Sequence, residues 1–201
     1  CTLCGSCVTA CAQNVHILVP GNPLPEHLIN RELCTLCGSC TPVCPEGALE
    51  IKGKIMTIDE VMKPVIQDRA FYDVSGGGMT ISGGEPMAQY PFSLALLKAA
   101  GEQGIHRCIE TCGHAPRERY EEISHHVDLF LMDWKESDPV KHKEYTGVDN
   151  VLIEENMRYF SSLGAKIIIR CPIIPTLNDR PDHFAKIAAL AEELEGVQAV
   201  E

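Results

Sequence analysis

Eleven cysteines stand among 201 residues, and eight of them fall within the first 44. Residues 1–7 read Cys-Thr-Leu-Cys-Gly-Ser-Cys, and residues 34–40 repeat them unchanged 33 positions later. Each copy runs on to a fourth cysteine, Cys11 or Cys44, so both are C-x2-C-x2-C-x3-C. A tight loop with a thiolate every three residues turns three sulfurs toward one cubane cluster, and the next helical turn carries the fourth out of that loop. Gly5 and Gly38 fall where backbone must pass close to such a cluster, which suits a residue without Cβ. Zinc favours two C-x2-C pairs split by a longer loop and would leave cysteines over. A disulfide framework needs an oxidising compartment, which nothing in these residues indicates. Unligated buried thiols have no reason to recur at fixed spacing. The spacing favours iron–sulfur chemistry.

Residues 1–52 resemble the bacterial two-cluster ferredoxin module. The resemblance implies that each fourth cysteine ligates the cluster of the other copy. Cys1, Cys4, Cys7 and Cys44 would then hold one 4Fe–4S cluster, and Cys34, Cys37, Cys40 and Cys11 the second. Pro45 follows the fourth cysteine in the second copy, whereas Ala12 takes that place in the first, a difference that bears on loop stiffness. The stretch from Asn14 to Asn30, with Pro20, Pro23 and Pro25, reads as a loop with short strands. Ala48–Ile51 reads as the last strand of the small module.

From Ile55 onward the pattern changes to alternating helices and strands. Thr57 with Glu60 forms a capping box opening a helix over roughly 58–70. Strands are expected at 78–82, 106–111, 128–133 and 166–174. Helices are expected at 91–104, 117–126, 152–163 and 182–194, and residues 196–201 read as the start of a further strand. Strand–helix alternation with short links implies a parallel sheet; a partial (β/α) barrel fits it better than a complete open-sheet domain, and spacing alone leaves both open. In such sheets ligands sit at the carboxyl ends of the strands. The unusual polar residues gather there: Ser82-Gly83-Gly84-Glu85, Glu110-Thr111, Asp133-Trp134-Lys135 and Arg170. Asp133 and Lys135 are two apart, so extended backbone points both to one side. A carboxylate, an ammonium and a glycine turn around one mouth suit a small zwitterion such as an amino acid.

Gly76-Gly-Gly-Met-Thr-Ile-Ser-Gly-Gly-Glu-Pro86 resembles the first barrel strand of glycyl-radical-enzyme activases, a branch of the radical S-adenosylmethionine enzymes. Further matches follow in order: residues 104–113, Met132-Asp-Trp-Lys135, Tyr145-Thr-Gly147, and Arg170-Cys-Pro-Ile-Ile-Pro175 with Asn178-Asp179. Several such activases carry a two-cluster ferredoxin insert, so the resemblance covers nearly the whole chain. It implies that Gly83, Gly84 and Glu85 meet the ammonium of S-adenosylmethionine. It implies also that Asp133 and Lys135 reach its methionine and ribose groups; Trp134, a packing residue where the family has an aliphatic, and Arg170 are counted with them among the cofactor-binding residues. Glu110 and Thr111 match an Asp-Thr pair that lines a monovalent-cation and cofactor site, Glu110 being one methylene longer. The C-x3-C-x2-C loop that holds the cofactor-cleaving cluster in that family is not among these residues. The resemblance places this loop, with its third 4Fe–4S cluster, upstream of Cys1, and no catalytic residue is assigned within these 201 residues. Cys108, Cys112 and Cys171 are expected to be core thiols, and His125 and His126 structural residues at a helix end.

Two units are therefore expected: a ferredoxin-like domain at 1–52 and a partial barrel at 53–201, truncated at both ends. Seventeen basic against 28 acidic residues give a net charge of −11, which disfavours a nucleic-acid or anionic-membrane partner. No apolar run approaches the ~18 residues of a membrane span. The implied activity is that of an oxidoreductase which cleaves S-adenosylmethionine reductively and creates a glycyl radical on a partner enzyme. An electron donor such as flavodoxin or ferredoxin and an anaerobic cytoplasm go with it. Two other functions compete: a ferredoxin-type electron carrier, and a related radical enzyme acting on a small molecule.

Overall fold

The computed structural model describes all 201 residues, which form two compact units, Cys1–Ile55 and Met56–Glu201. The boundary lies three residues beyond the one expected from sequence.

The first unit opens with a short helix α1 (Ser6–Ala10), followed by strands β1 (His16–Val19) and β2 (Glu26–Ile29). These strands pair antiparallel, with His16 opposite Ile29 and Leu18 opposite His27. Ala48–Ile51, expected as a strand, is not one. Shifting β1 by the 33-residue repeat lands on residues 49–52, but the shifted β2 would fall on 59–62, inside the next helix. The second copy therefore has no hairpin partner, and a lone strand has nothing to bond with. Of the 55 residues only Val15 and His16 are buried.

The second unit begins with α2 (Ile58–Gln67), opened by the expected capping box: Glu60 N–H donates to Thr57 Oγ1 and Thr57 N–H to Glu60 Oε2 at 2.7 Å. Asp68 breaks the helix, and α3 (Arg69–Ser75) continues to the left-handed Gly76 at φ 69°. Then follow β3 (Gly78–Ile81), α4 (Tyr90–Glu102), β4 (His106–Thr111), α5 (Arg117–Ser124) and β5 (Leu129–Asp133). The chain continues through α6 (Pro139–Thr146), α7 (Val151–Ser162), β6 (Ile167–Arg170), α8 (Pro181–Glu193) and β7 (Val197–Val200). The expected strand 166–174 is cut to four residues, because Pro172 and Pro175 cannot donate to a ladder. Helix α6 was not anticipated: Pro139 at its first turn, Asp138 as its cap and Gly147 at its end are its only signals.

The five strands lie in sequence order, β3-β4-β5-β6-β7, every neighbour parallel. Right-handed crossovers between consecutive neighbours put the helices on one face of such a sheet. Alternation along the strands agrees. Met79, Ile109, Phe130, Met132, Ile167 and Ile169 are buried in the helix-side core, with Leu97, Tyr120, Met157 and Phe160 from the helices. Ser82, Glu110, Asp133 and Arg170 alternate with them toward the other face. Phe160 anchors the core, stacked on Phe130 at 4.2 Å and edge-on to Tyr120 at 5.0 Å between ring centroids.

Phe160→Ala should cost about 3–5 kcal/mol of stability through lost burial and the cavity left behind. Urea unfolding followed by the fluorescence of Trp134, the single tryptophan, measures it.

Candidate functional site

The two cysteine loops share one conformation. Leu3 and Leu36 are both left-handed at φ 61° and 56°, and Gly5 and Gly38 at 79° and 80°. At Gly38 a Cβ would also stand 2.7 Å from Ile51 Cδ1, the movable tip of an exposed side chain, so it is the left-handed backbone that calls for glycine. Hydrogen bonds repeat with the same offset. Val8 N–H donates to Gly5 O as Thr41 N–H does to Gly38 O, and Cys11 N–H to Val8 O as Cys44 N–H does to Thr41 O. Sulfurs receive matching donors: Val15 N–H reaches Cys11 Sγ at 3.4 Å and Ala48 N–H reaches Cys44 Sγ at 3.2 Å. Hydrogen bonds from the side chain and backbone of Ser6 lower the pKa of Cys4, and those of Ser39 lower that of Cys37, which favours thiolate. One pocket of this unit is lined by Cys1, Cys4 and Cys7 together with Cys44, three sulfurs of the first copy and the fourth of the second.

In the second unit the ends of β3, β4 and β5 surround an open cleft of about 620 Å³, counting space continuous with solvent. Its walls are Ser82–Glu85, Glu110–Cys112, Asp133 and Lys135. Lys135 Nζ lies 3.0 Å from Asp133 Oδ2. Glu85 is the clamp of the turn. Its carboxylate accepts from Met87 N–H at 3.0 Å, Thr111 Oγ1 at 2.7 Å and Cys112 N–H at 2.8 Å, tying the end of β3 to the end of β4. Thr111 Oγ1 in turn accepts from Gly113 N–H and from the hydroxyl of buried Tyr120. Glu110 accepts from Ser82 Oγ at 2.8 Å and pairs with Arg170 across β5.

Two residues counted with the cofactor site lie outside the cleft lining: Arg170, which pairs with Glu110, and Trp134, which packs in the core. Trp134 follows Asp133 in extended backbone, so it points to the opposite face, where it is 2% exposed among core residues and outside the cleft. Cys108 is buried as expected, but Cys112 is half-buried and lines the cleft. Burial, reinforced by Glu85, pushes the Cys112 thiol up to about 11, and burial with the Asp133 charge does the same for Cys171.

Sequence reasoning missed the residues that hold the Asp133–Lys135 corner. Asn178, 3% exposed, donates from Nδ2 to Lys135 O at 2.7 Å and Pro172 O at 2.9 Å, and its Oδ1 accepts from Ile174 N–H. Just beyond, buried Glu136 receives both Arg180 Nη atoms at 2.9–3.0 Å and Asp138 N–H at 2.9 Å. His183, fully buried, bonds Ser137 through Nδ1. The Asn178-Asp179 motif was the only sequence signal for this network.

A family model described as the radical SAM superfamily matches residues 33–190, and one described as a 4Fe-4S dicluster domain matches residues 1–49. The chain belongs to the radical SAM superfamily. It is 45% identical over 152 residues to an isethionate sulfite-lyase activating enzyme of Nitratidesulfovibrio vulgaris, covering 75% of this chain and 50% of that protein. It is 39% identical over 184 residues to a choline trimethylamine-lyase activating enzyme of Oleidesulfovibrio alaskensis, covering 92% of this chain and 59% of that protein. The chain thus spans between half and three fifths of the length of these relatives. Among solved structures, a domain of a pyruvate-formate lyase-activating enzyme from Bacteroides vulgatus is similar, with a TM-score of 0.58 and 31% identity over 62% of this chain and 78% of that one.

The residues present fit the groups a radical SAM protein with a dicluster domain requires. The first unit has almost no apolar core but brings thiols of both copies around one pocket. In the cleft, the positions a Cβ would take at Gly83 and Gly84 have nothing within 4 Å. Only Gly83, at φ 106°, needs glycine for its backbone, so Gly84 leaves space that a ligand would fill. A monovalent cation fits poorly: Glu110 is already paired with Arg170, Asp133 with Lys135, and Thr111 with Glu85 and Tyr120.

Glu136 generates a testable pH dependence. Burial opposes its ionisation, but hydrogen bonds from Arg180 and Asp138 N–H outweigh it and hold the carboxyl at about 2, against an ordinary 4.5. A depressed folded pKa gives stability that is complete above pH 4.5 and lost as pH falls toward about 2. Glu136→Gln should lower the urea midpoint at neutral pH and flatten its decline across that window, read by Trp134 fluorescence.

Proposed function

We propose that the protein activates a glycyl radical enzyme by reductive cleavage of S-adenosylmethionine. The observation that carries this reading is the single cleft onto which Gly83, Gly84, Glu85, Glu110, Thr111, Asp133 and Lys135 converge. The curated relatives named as activating enzymes support it. On this reading the Gly83–Gly84 turn and Glu85 receive the cofactor's ammonium, Lys135 faces its carboxylate, and Asp133 fixes Lys135 and reaches toward the ribose. Arg170 and Ser82 hold Glu110 in place at the floor, and Asn178 holds the backbone of Lys135. The chemistry supplied when cofactor and reduced cluster are bound is homolysis to methionine and a deoxyadenosyl radical, which takes hydrogen from a glycine of the partner. This chain's part is to orient the cofactor and to keep its own thiols out of the reaction. The raised pKa of Cys112 at the cleft wall keeps that thiol protonated.

In the first unit, Cys1, Cys4, Cys7 and Cys44 hold one 4Fe–4S cluster, and Cys34, Cys37, Cys40 and Cys11 the other. Both relay electrons from a donor such as flavodoxin or ferredoxin. The reading places the protein in an anaerobic cytoplasm, where thiolates and clusters persist. No helix is long and apolar enough to cross a membrane.

Anaerobic reconstitution of this chain should give about eight iron and eight sulfide, from two clusters of four. About four would break one of the two ligand sets, and tetrahedral zinc in place of iron would overturn the cluster assignment. The activity is tested with the complete reading frame, reductant, S-adenosylmethionine and a candidate partner. A glycyl radical in the electron paramagnetic resonance spectrum is the expected result, and deoxyadenosine without any protein radical would instead favour a small-molecule substrate. Lys135→Ala should weaken cofactor binding about tenfold or more by removing a charge-assisted contact, while the iron content of the first unit stays unchanged.

A further inference from the structure

We infer that His27 donates a hydrogen bond to Cys7 and thereby raises the reduction potential of the cluster held by Cys1, Cys4, Cys7 and Cys44 above that of its twin. The inference rests on the cluster ligation proposed above. His27 Nε2 lies 3.7 Å from Cys7 Sγ, within hydrogen-bond reach of a large sulfur atom, and 3.0 Å from His16 Nδ1. The hairpin fixes this arrangement. His27 stands opposite Leu18, so His16 is its diagonal neighbour on the same face, close enough for rings to meet. The two imidazoles stack with centroids 5.1 Å apart and planes 29° from parallel. His16 is 5% exposed, and a buried ring nitrogen needs a partner. A proton on His27 Nε2, shared between His16 Nδ1 and Cys7 Sγ, satisfies the buried ring and turns a positive dipole end toward the sulfur.

The repeat makes the asymmetry visible. Donors to the other sulfurs come in matched pairs: Ser6 at Cys4 and Ser39 at Cys37, Val15 N–H at Cys11 and Ala48 N–H at Cys44. The imidazole at Cys7 has no such match at Cys40. The counterpart of His16, 33 residues on, is Leu49, and no other histidine occurs in residues 1–55. A hydrogen bond to a ligating sulfur stabilises the reduced cluster, which carries one more negative charge, and so raises its potential. One electron entering the unit from a reductant therefore settles on the histidine-side cluster first.

The test is a dithionite titration of the reconstituted chain followed by electron paramagnetic resonance, with iron counted in every sample. The unmodified chain should reduce in two separated steps. His27→Phe should shift the upper step downward toward the other and leave the lower one in place, whereas His27→Gln, which keeps an N–H donor, should largely retain the separation. Isotopically labelled histidine in the unmodified chain should show nitrogen hyperfine coupling to one reduced cluster, a readout that needs no variant to assemble. Midpoints unchanged in His27→Phe, both midpoints moving together, or the absence of that coupling would overturn the inference while full iron content left the cluster assignment standing. A chain that takes up no iron would overturn both.

Discussion

Parallel pairing of strands in their sequence order is the constraint on which the second unit depends. Each strand must return to the same end before the next begins, so a helix crosses over every time and always on the same side. One face of the sheet is thereby sealed by helices, and the carboxyl ends of all strands open along one edge. Ser82, Glu110, Asp133 and Arg170 need no individual explanation for their meeting. They stand within one residue of the ends of consecutive strands, on the pleat face that the helices leave uncovered. Trp134 shows the same rule in reverse: one residue along the chain, it belongs to the core.

The first unit obeys a different constraint. With two buried residues among 55, apolar burial cannot hold it, since a chain this short rarely builds a sufficient core even when fully apolar. What it has in place of a core is a repeated loop geometry, in which left-handed residues at matching positions turn sulfurs and backbone N–H groups inward. Binding energy at a metal site is folding energy where no other core exists. The hairpin of the first copy has no duplicate, and the two half-sites are therefore unequal although their cysteine motifs are identical.

At the cleft, every carboxylate has its hydrogen-bond or ion-pair partners before any ligand arrives. Glu85 spends its carboxylate on three donors, Glu110 on Ser82 and Arg170, and Asp133 on Lys135. Such pairing keeps the groups in place and leaves Lys135, partly exposed, as the cation best able to turn toward an incoming carboxylate. Behind it, Asn178 and the Glu136–Arg180 pair fix the backbone that follows β5. A side chain can move only as accurately as the backbone beneath it is held.

Local chemistry was legible from the sequence alone. The cysteine repeat, the capping box at Thr57 and Glu60, the glycine turn after β3, and the strand–helix alternation each depend on neighbours within a few residues, so their spacing declares them. The polar strand ends were legible for the same reason, because two-residue alternation fixes the side to which Asp133 and Lys135 point. Tertiary structure decided what depends on distant partners. It gathered Cys44 with Cys1, Cys4 and Cys7 around one pocket, and paired Arg170 with Glu110 across an intervening strand. It also hung the Lys135 carbonyl on Asn178, 43 residues away. Ala48–Ile51 reads as a strand but is none, because a strand is a property of two segments and its partner has become helix α2. His27 beside Cys7 belongs to the same class. Neither residue type nor spacing marks a histidine 20 positions from a cysteine, and only the register of a hairpin brings their atoms together.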